Sequence, residues 1–196
     1  MGTYKEELIK AMNILAEHPK TLFIGQNVIY GGASMYWTIA NVPKEKRIEL
    51  PVFEEVQAGI SLGLALEGFI PVSIFPRMDF MLLAINQIVN HMDKMDEMSD
   101  GQFKPVIIMR TAIGSTAPLM PGPQHCQDHT EALKLMCKNI NVVKLENANQ
   151  IVPEFIKALQ ADKPTILVDI PDLYNKELEK EFRESRRKSL ESLNEK

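Results

Sequence analysis

The sequence has little cysteine. Its two thiols, Cys126 and Cys137, are not in CxxC spacing, which excludes a disulfide scaffold and fits a reducing cytoplasm. It also lacks a basic excess: 26 acidic against 22 basic residues, with a formal net charge of −4. That balance excludes a generic nucleic-acid surface, which needs clustered positive charge. No apolar run approaches the roughly 20 residues of a membrane span. The opening segment MGTYKEELIKAMNILAEH carries acids within its first ten residues and is amphipathic, unlike a signal peptide. Neither GxGxxG nor GxxxxGK[ST] occurs, although a Gly31–Gly32 pair follows an apolar run and is a weak phosphate-loop signal. No internal repeat is visible. What remains is a cytoplasmic α/β chain of 196 residues, long enough to bury a substantial core.

What is present is alternation. Leu8, Met12 and Leu15 stand at helical intervals from Tyr4 to Glu17, and Pro19 stops that helix. Short apolar runs with the length of buried strands occur at Thr21–Gly25, Ile70–Phe75, Pro105–Arg110, Asn141–Leu145 and Thr165–Asp169. Helices are expected at Met35–Ala40, from Asp79 to about Met95, over Asp128–Cys137 and over Asn149–Gln160. Buried strands alternating with helices predict a three-layer α/β/α fold with a mainly parallel sheet over residues 1–172. Residues 173–196 read as a charged, helical C-terminal tail. Ligands of such sheets collect at the carboxyl ends of the strands. The loops holding Gln26, Glu54, Asp79 and Phe80, and Thr111–His125 are therefore expected at one rim.

The stretch Leu50–Gln87 organises the chain. Pro51 keeps Leu50 extended, and Glu54 and Glu55 open a helix whose dipole favours acids there. From Glu55 to Leu66 the residues are mostly apolar or small, with Gly59 and Gly63 on one face. This predicts a helix buried all round that another backbone approaches closely. On spacing alone, both acids can be simple dipole partners and Phe80 a core residue.

The segments FIGQNVIYGGA, LPVFEEVQAGISLGLALEGFIPV, DFMLLAINQIVN, MSDGQFKPVIIMR and PGPQHCQ occur together, in order, from about Thr21 to Val168. As an ordered set they resemble the pyrimidine-binding domain of thiamine diphosphate enzymes in the transketolase group, most nearly the β subunits of 2-oxo-acid dehydrogenases. The resemblance implies roles residue by residue. Glu54, with Glu55 as the one-residue alternative, hydrogen-bonds the aminopyrimidine, favours its imino tautomer and so exposes the thiazolium ylid. Phe80 packs on that ring, with Asp79 and Gln26 as further cofactor contacts. His125 stabilises or protonates the substrate oxygen, and Gln124, Gln127 and Arg110 are lesser candidates for substrate or loop contacts. His129, four residues past His125, makes no metal site on its own, since zinc wants further ligands.

The family's magnesium and diphosphate motif, GDG…N, is missing; the Asp100–Gly101 pair matches a different loop. The resemblance therefore implies a partner subunit that carries this motif and holds Mg2+, in an α2β2 hetero-oligomer. It also implies a 2-oxo acid or sugar substrate whose fragment is transferred, with active sites at the interface and the Met-rich segment Met78–Met98 as a contact surface. Where the family often carries acids, this chain has Gln26 and Asn27, and its TAIGSTAPLMPGP loop departs from the family's glycine-rich one. The donor, the acceptor and any lipoyl-bearing partner are left open. The alternatives are a non-catalytic scaffold or regulatory subunit of the same descent and, more weakly, a nucleotide- or flavin-binding protein using the Gly31–Gly32 loop.

Overall fold

The computed structural model describes residues 2–116 and 120–174. Helix α1 (Tyr4–Glu17) starts at a capping box. Thr3 Oγ1 accepts from the Glu6 backbone N–H, and the Glu6 carboxylate accepts from Thr3 N–H at 2.7 Å, so two otherwise orphaned donors are satisfied. Leu8, Ala11, Met12 and Leu15 form its buried stripe. There follow β1 (Thr21–Gly25), α2 (Tyr36–Ile39), β2 (Arg47–Glu49), α3 (Glu54–Leu66) and β3 (Ile70–Phe75). The second half contains α4 (Met78–Met81), α5 (Met95–Met98), β4 (Ile108–Ala112), α6 (Thr130–Met136), β5 (Asn141–Lys144), α7 (Ala148–Gln160) and β6 (Thr165–Asp169).

The strands form one all-parallel sheet in the order β2-β1-β3-β4-β6-β5. Buried β residues alternate between two cores, as a period of two requires. Phe23, Val72, Ile74, Ile108 and Leu167 face α1, α2 and α7, while Phe75, Met109, Ile166 and Val168 face α3, α4 and α6. The α/β/α reading therefore holds. Among the described residues no helix is long and apolar enough to cross a membrane.

Several boundaries differ from expectation for local reasons. β4 begins at Ile108 and not Pro105, because the ladder to β3 first closes at Val72↔Ile108 and proline has no N–H to give. α6 begins at Thr130 because the Asp128 carboxylate first takes the Thr130 N–H and hydroxyl. The expected single helix from Asp79 to Met95 is instead α4, a 3-10 turn (Leu82–Ala84), a π-helical segment (Gln87–Met92) and, after a break, α5. Its buried residues Met78, Met81, Ala84, Ile88 and Met92 are spaced by three and then by four. Tight 3-10 turns suit the first spacing and a widened turn the second.

Helix α3 is not buried all round. Glu54, Gln57, Ala58, Ser61 and Leu62 face inward, and Val56, Ile60 and Leu66 are exposed. Gly63 is also exposed, and a Cβ there would meet nothing within 4 Å. Its inner face is polar in part: Gln57 Nε2 donates to Ser73 Oγ at 3.0 Å and Ile74 O at 2.9 Å, and Ser61 Oγ lies 3.1 Å from Ser73 Oγ. These bonds fix how α3 is rotated on β3, and with it where Glu54 points.

The domain runs past residue 172. Tyr174 is fully buried and stacks on Tyr4 with ring centroids 5.8 Å apart. The expected charged tail lies outside the described residues from 175 onward. Tyr174 closes a polar cluster on the α1 face. Arg110 donates through Nε to Asp169 Oδ2 at 3.0 Å, through Nη2 to the same oxygen at 2.5 Å, and through Nη1 to Thr38 Oγ1 at 2.8 Å. The Tyr174 hydroxyl donates to Asp169, and the Tyr4 hydroxyl donates to Leu145 O and accepts from Ile170 N–H. Burial first and the Asp169 carboxylate second hold both phenols well above their ordinary pKa, so both remain donors. Removing one partner of a buried ion pair leaves the other charge uncompensated, at a cost of about 3–5 kcal/mol. Arg110→Met should therefore lower unfolding stability by about that much in urea melts; a loss below about 1 kcal/mol would show that the pair is dispensable.

Candidate active site

All six strands point their carboxyl ends to one rim. From β1 the chain turns to α2, packed beside α1; from β3 it turns to α4, in the opposite core. Adjacent strands whose connections leave to opposite faces open a crevice between them, the usual ligand position in such sheets. Gln26 follows β1 directly, and Glu54 opens α3 beside it.

Glu54 is 4 % exposed. Its Oε1 accepts from Gln26 Nε2 at 3.1 Å. Its Oε2 makes no hydrogen bond among the described residues, yet it is not sealed from solvent. One oxygen is thus held and the other is available at the crevice. Glu55, the alternative, is exposed and accepts from Asn86 Nδ2 at 3.1 Å. The geometry separates the two acids, and only Glu54 turns inward.

Gln26 is held in place by its own loop. The Glu49 carboxylate, at the end of β2, accepts three consecutive backbone N–H groups: Asn27 at 2.7 Å, Val28 at 2.8 Å and Ile29 at 2.7 Å. Asn27 adopts φ +57°, a left-handed conformation that asparagine tolerates better than most residues. Successive amides curled in this way make an anion nest. Here the anion is the protein's own Glu49 carboxylate.

Past the carboxyl ends of β3 and β4, Phe80 and His125 meet edge to face, with ring centroids 5.4 Å apart. Three contacts bring His125 there. Arg77 Nη1 donates to His125 O at 3.3 Å, and Asp79 Oδ1 accepts from Gln127 N–H at 3.3 Å and Nε2 at 2.9 Å. The third is an absence of side chain: a Cβ on Gly114 would lie 1.7 Å from His125 O, so only glycine lets the two limbs of the loop touch. Asp79, expected at the cofactor, instead ties the loop through Oδ1; its Oδ2 is buried without a partner among the described residues.

Arg110, expected to contact substrate, is wholly buried and spent on Asp169 and Thr38; that assignment is corrected to a structural one. Gln124 is exposed and makes no side-chain hydrogen bond among the described residues, and Gln127 serves Asp79. His129 takes Met78 Sδ at its backbone N–H. Burial and the nearby Asp93 push the Cys137 thiol up to about 11, which makes it unreactive. Among the described residues no group of three or more His, Cys, Asp or Glu side chains could hold a metal ion. Sequence reasoning missed Glu49, Gln57 and Arg77. The signal for Glu49 was an acid at the end of a strand just before Leu50–Pro51; for the other two the sequence held none.

Comparison with known proteins places the chain in a family. The family described as "Transketolase, pyrimidine binding domain" matches residues 4–175. The mitochondrial pyruvate dehydrogenase E1 component subunit beta of Ascaris suum is 31% identical over 126 residues, 64% of this chain and 34% of that protein. The chloroplastic subunit beta-3 of Oryza sativa subsp. japonica is 29% identical over 174 residues, 87% of this chain and 43% of that protein. The chain thus spans less than half the length of these two relatives. Among solved structures, a split gene transketolase described as an inactive beta4 tetramer superposes with a TM-score of 0.65 at 19% identity, over 85% of this chain and 50% of that one. This last likeness shows the fold.

Gly114→Ala should leave the domain folded and detach His125 from Phe80, seen as loss of the ring-current shift on the His125 imidazole protons; an unchanged shift would refute the close approach. Beyond the loop, burial would raise the Asp128 pKa, but hydrogen bonds from Lys144 and Thr130 outweigh it and lower it to about 2. A depressed carboxylate stabilises the fold above its unfolded value, and that contribution is lost as pH falls through about 2. Asp128→Asn should therefore destabilise modestly near neutrality, by under about 1 kcal/mol because the pair is partly exposed. In urea melts the difference should vanish in strong acid; a gap that persists there would reject the linkage.

Proposed function

The chain belongs to the transketolase pyrimidine-binding domain family, and from that premise we propose that it supplies the pyrimidine-facing half of a thiamine diphosphate active site. A second polypeptide completes that site, in an enzyme that cleaves a 2-oxo acid or ketose and transfers the fragment. The carrying observation is Glu54, an acid 4 % exposed whose Oε1 is held by Gln26 and whose Oε2 is left for a ligand at the crevice. Thiamine diphosphate, when bound, supplies a nucleophilic carbon that adds to a carbonyl and accepts the electron pair left when the adjacent bond breaks. Glu54 would share a proton with the aminopyrimidine nitrogen through Oε2. Phe80 would lend a flat apolar face that orients the ring and keeps water off it. His125, held against Phe80, would give or take a proton at the substrate oxygen.

The residues present fit the pyrimidine end of that cofactor and not its diphosphate. Three amides after β1, those of Asn27, Val28 and Ile29, are taken by Glu49, and among the described residues no group of three or more His, Cys, Asp or Glu could hold a metal ion. We assign the diphosphate and Mg2+ to the partner, a subunit carrying a GDG…N motif, in an α2β2 assembly. An apolar surface beside Glu54 supports such a partner. Val52, Phe53, Val56 and Ile60 are exposed along the start of α3, as are Leu82 and Leu83 on the turn packed against it. Apolar patches of this kind mark association surfaces.

In the assembled enzyme loaded with thiamine diphosphate and Mg2+, Glu54→Gln should leave assembly intact. It should slow hydrogen–deuterium exchange of the thiazolium C2 proton by about 10²–10⁴-fold, the range of general acid–base catalysis. An unchanged exchange rate in a complex that still binds the cofactor would reject the catalytic reading and leave a scaffold.

A further inference from the structure

Glu49 and Gln26 form a chain of contacts that ends on one atom of Glu54. β1 and β2 pair in parallel, with Gly25 beside Glu49, and the Leu50 N–H extends the ladder to Gly25 O at 2.8 Å. The Glu49 side chain therefore leaves the sheet edge beneath the loop that starts at Gln26. Its two oxygens collect three N–H groups at 2.7–2.8 Å, the short range of charge-assisted hydrogen bonds. A neutral amide in its place would offer one acceptor oxygen and turn an NH2 toward the backbone donors. With the loop fixed, Gln26 is 7 % exposed and its amide reaches Glu54 Oε1 at 3.1 Å. A carboxylate free to rotate would present either oxygen to a ligand. One whose Oε1 is tied presents Oε2, in one orientation.

We propose that Glu49 is a positioning residue for the Glu54 site: through the Asn27–Ile29 backbone and the Gln26 amide it selects Oε2 as the oxygen offered to the cofactor ring. This rests on the function proposed above. The gain is entropic, since a preset acid needs no reorientation when the proton moves.

The test has one reading on the free chain and one on the assembled enzyme. In the full chain alone, the Gln26 side-chain NH2 protons should exchange slowly with solvent by NMR, and Glu49→Gln should speed that exchange about tenfold or more. In the enzyme assembled with its partner, thiamine diphosphate and Mg2+, Gln26→Ala and Glu49→Gln should each slow C2-proton exchange about tenfold. The double variant should lose no more than Gln26→Ala alone, because the two act in series; independent residues would multiply their losses. Glu49→Asp, which keeps the charge, should recover part of the loss. Multiplying losses, or Gln26 protons indifferent to Glu49, would overturn the proposal, and Gln26→Ala does so alone if it leaves the exchange rate unchanged. Should Glu54→Gln itself leave C2 exchange untouched, the functional premise fails instead; the free-chain result would then still report whether Glu49 sets the Gln26 amide.

Discussion

The site depends on one hydrogen bond, from the Gln26 amide to Glu54 Oε1, and on the sheet that brings its two ends together. The residues are 28 positions apart and meet because β1 and β2 are parallel neighbours with their carboxyl ends at one rim. A buried acid with one oxygen tied leaves the other, which still reaches solvent, in need of a partner in one fixed direction. The fold puts the open oxygen at the crevice, where a ligand can meet that need. Around it, polar contacts act as geometry more than as stabilisation: Gln57 and the Ser61–Ser73 contact fix the rotation of α3, and Glu49 fixes the loop.

The two halves of the crevice are built differently. The Gln26–Glu54 side stands on strand ends and a helix start. The Phe80–His125 side joins a segment of mixed helical turns to a loop held by Arg77, Asp79 and the bare backbone of Gly114. A proton-sharing carboxylate needs fixed direction, whereas a group that meets varied substrates tolerates a movable mount. This division accords with the proposed roles. The exposed apolar stripe of α3 lies next to the rigid half, so a partner covering it would border the preset acid.

Much of the fold was legible because it depends on local pattern. The strands Thr21–Gly25, Ile70–Phe75 and Thr165–Asp169 and helix Tyr4–Glu17 have the bounds that apolar period and stop residues indicate. The segment after Phe75 was not legible: a run of methionines at mixed spacing looks like one helix, and only the sheet beneath it demands 3-10 and π turns. The face of α3 was misread for a related reason. An apolar, glycine-spaced helix predicts burial, but the sheet covers only one face of α3.

By itself the sequence determined the element order and the layered parallel architecture, which follow from composition and periodicity, and its ordered motifs resemble a family that points to Glu54, Phe80 and His125. Tertiary structure decided which acid turns inward, that Arg110 is consumed by Asp169 in the core, and that Glu49 holds the Gln26 loop. Those are matters of direction and partnership between residues distant in the chain. No local period encodes them, because a side chain's partner is set by the register of strands and the rotation of a helix on its sheet.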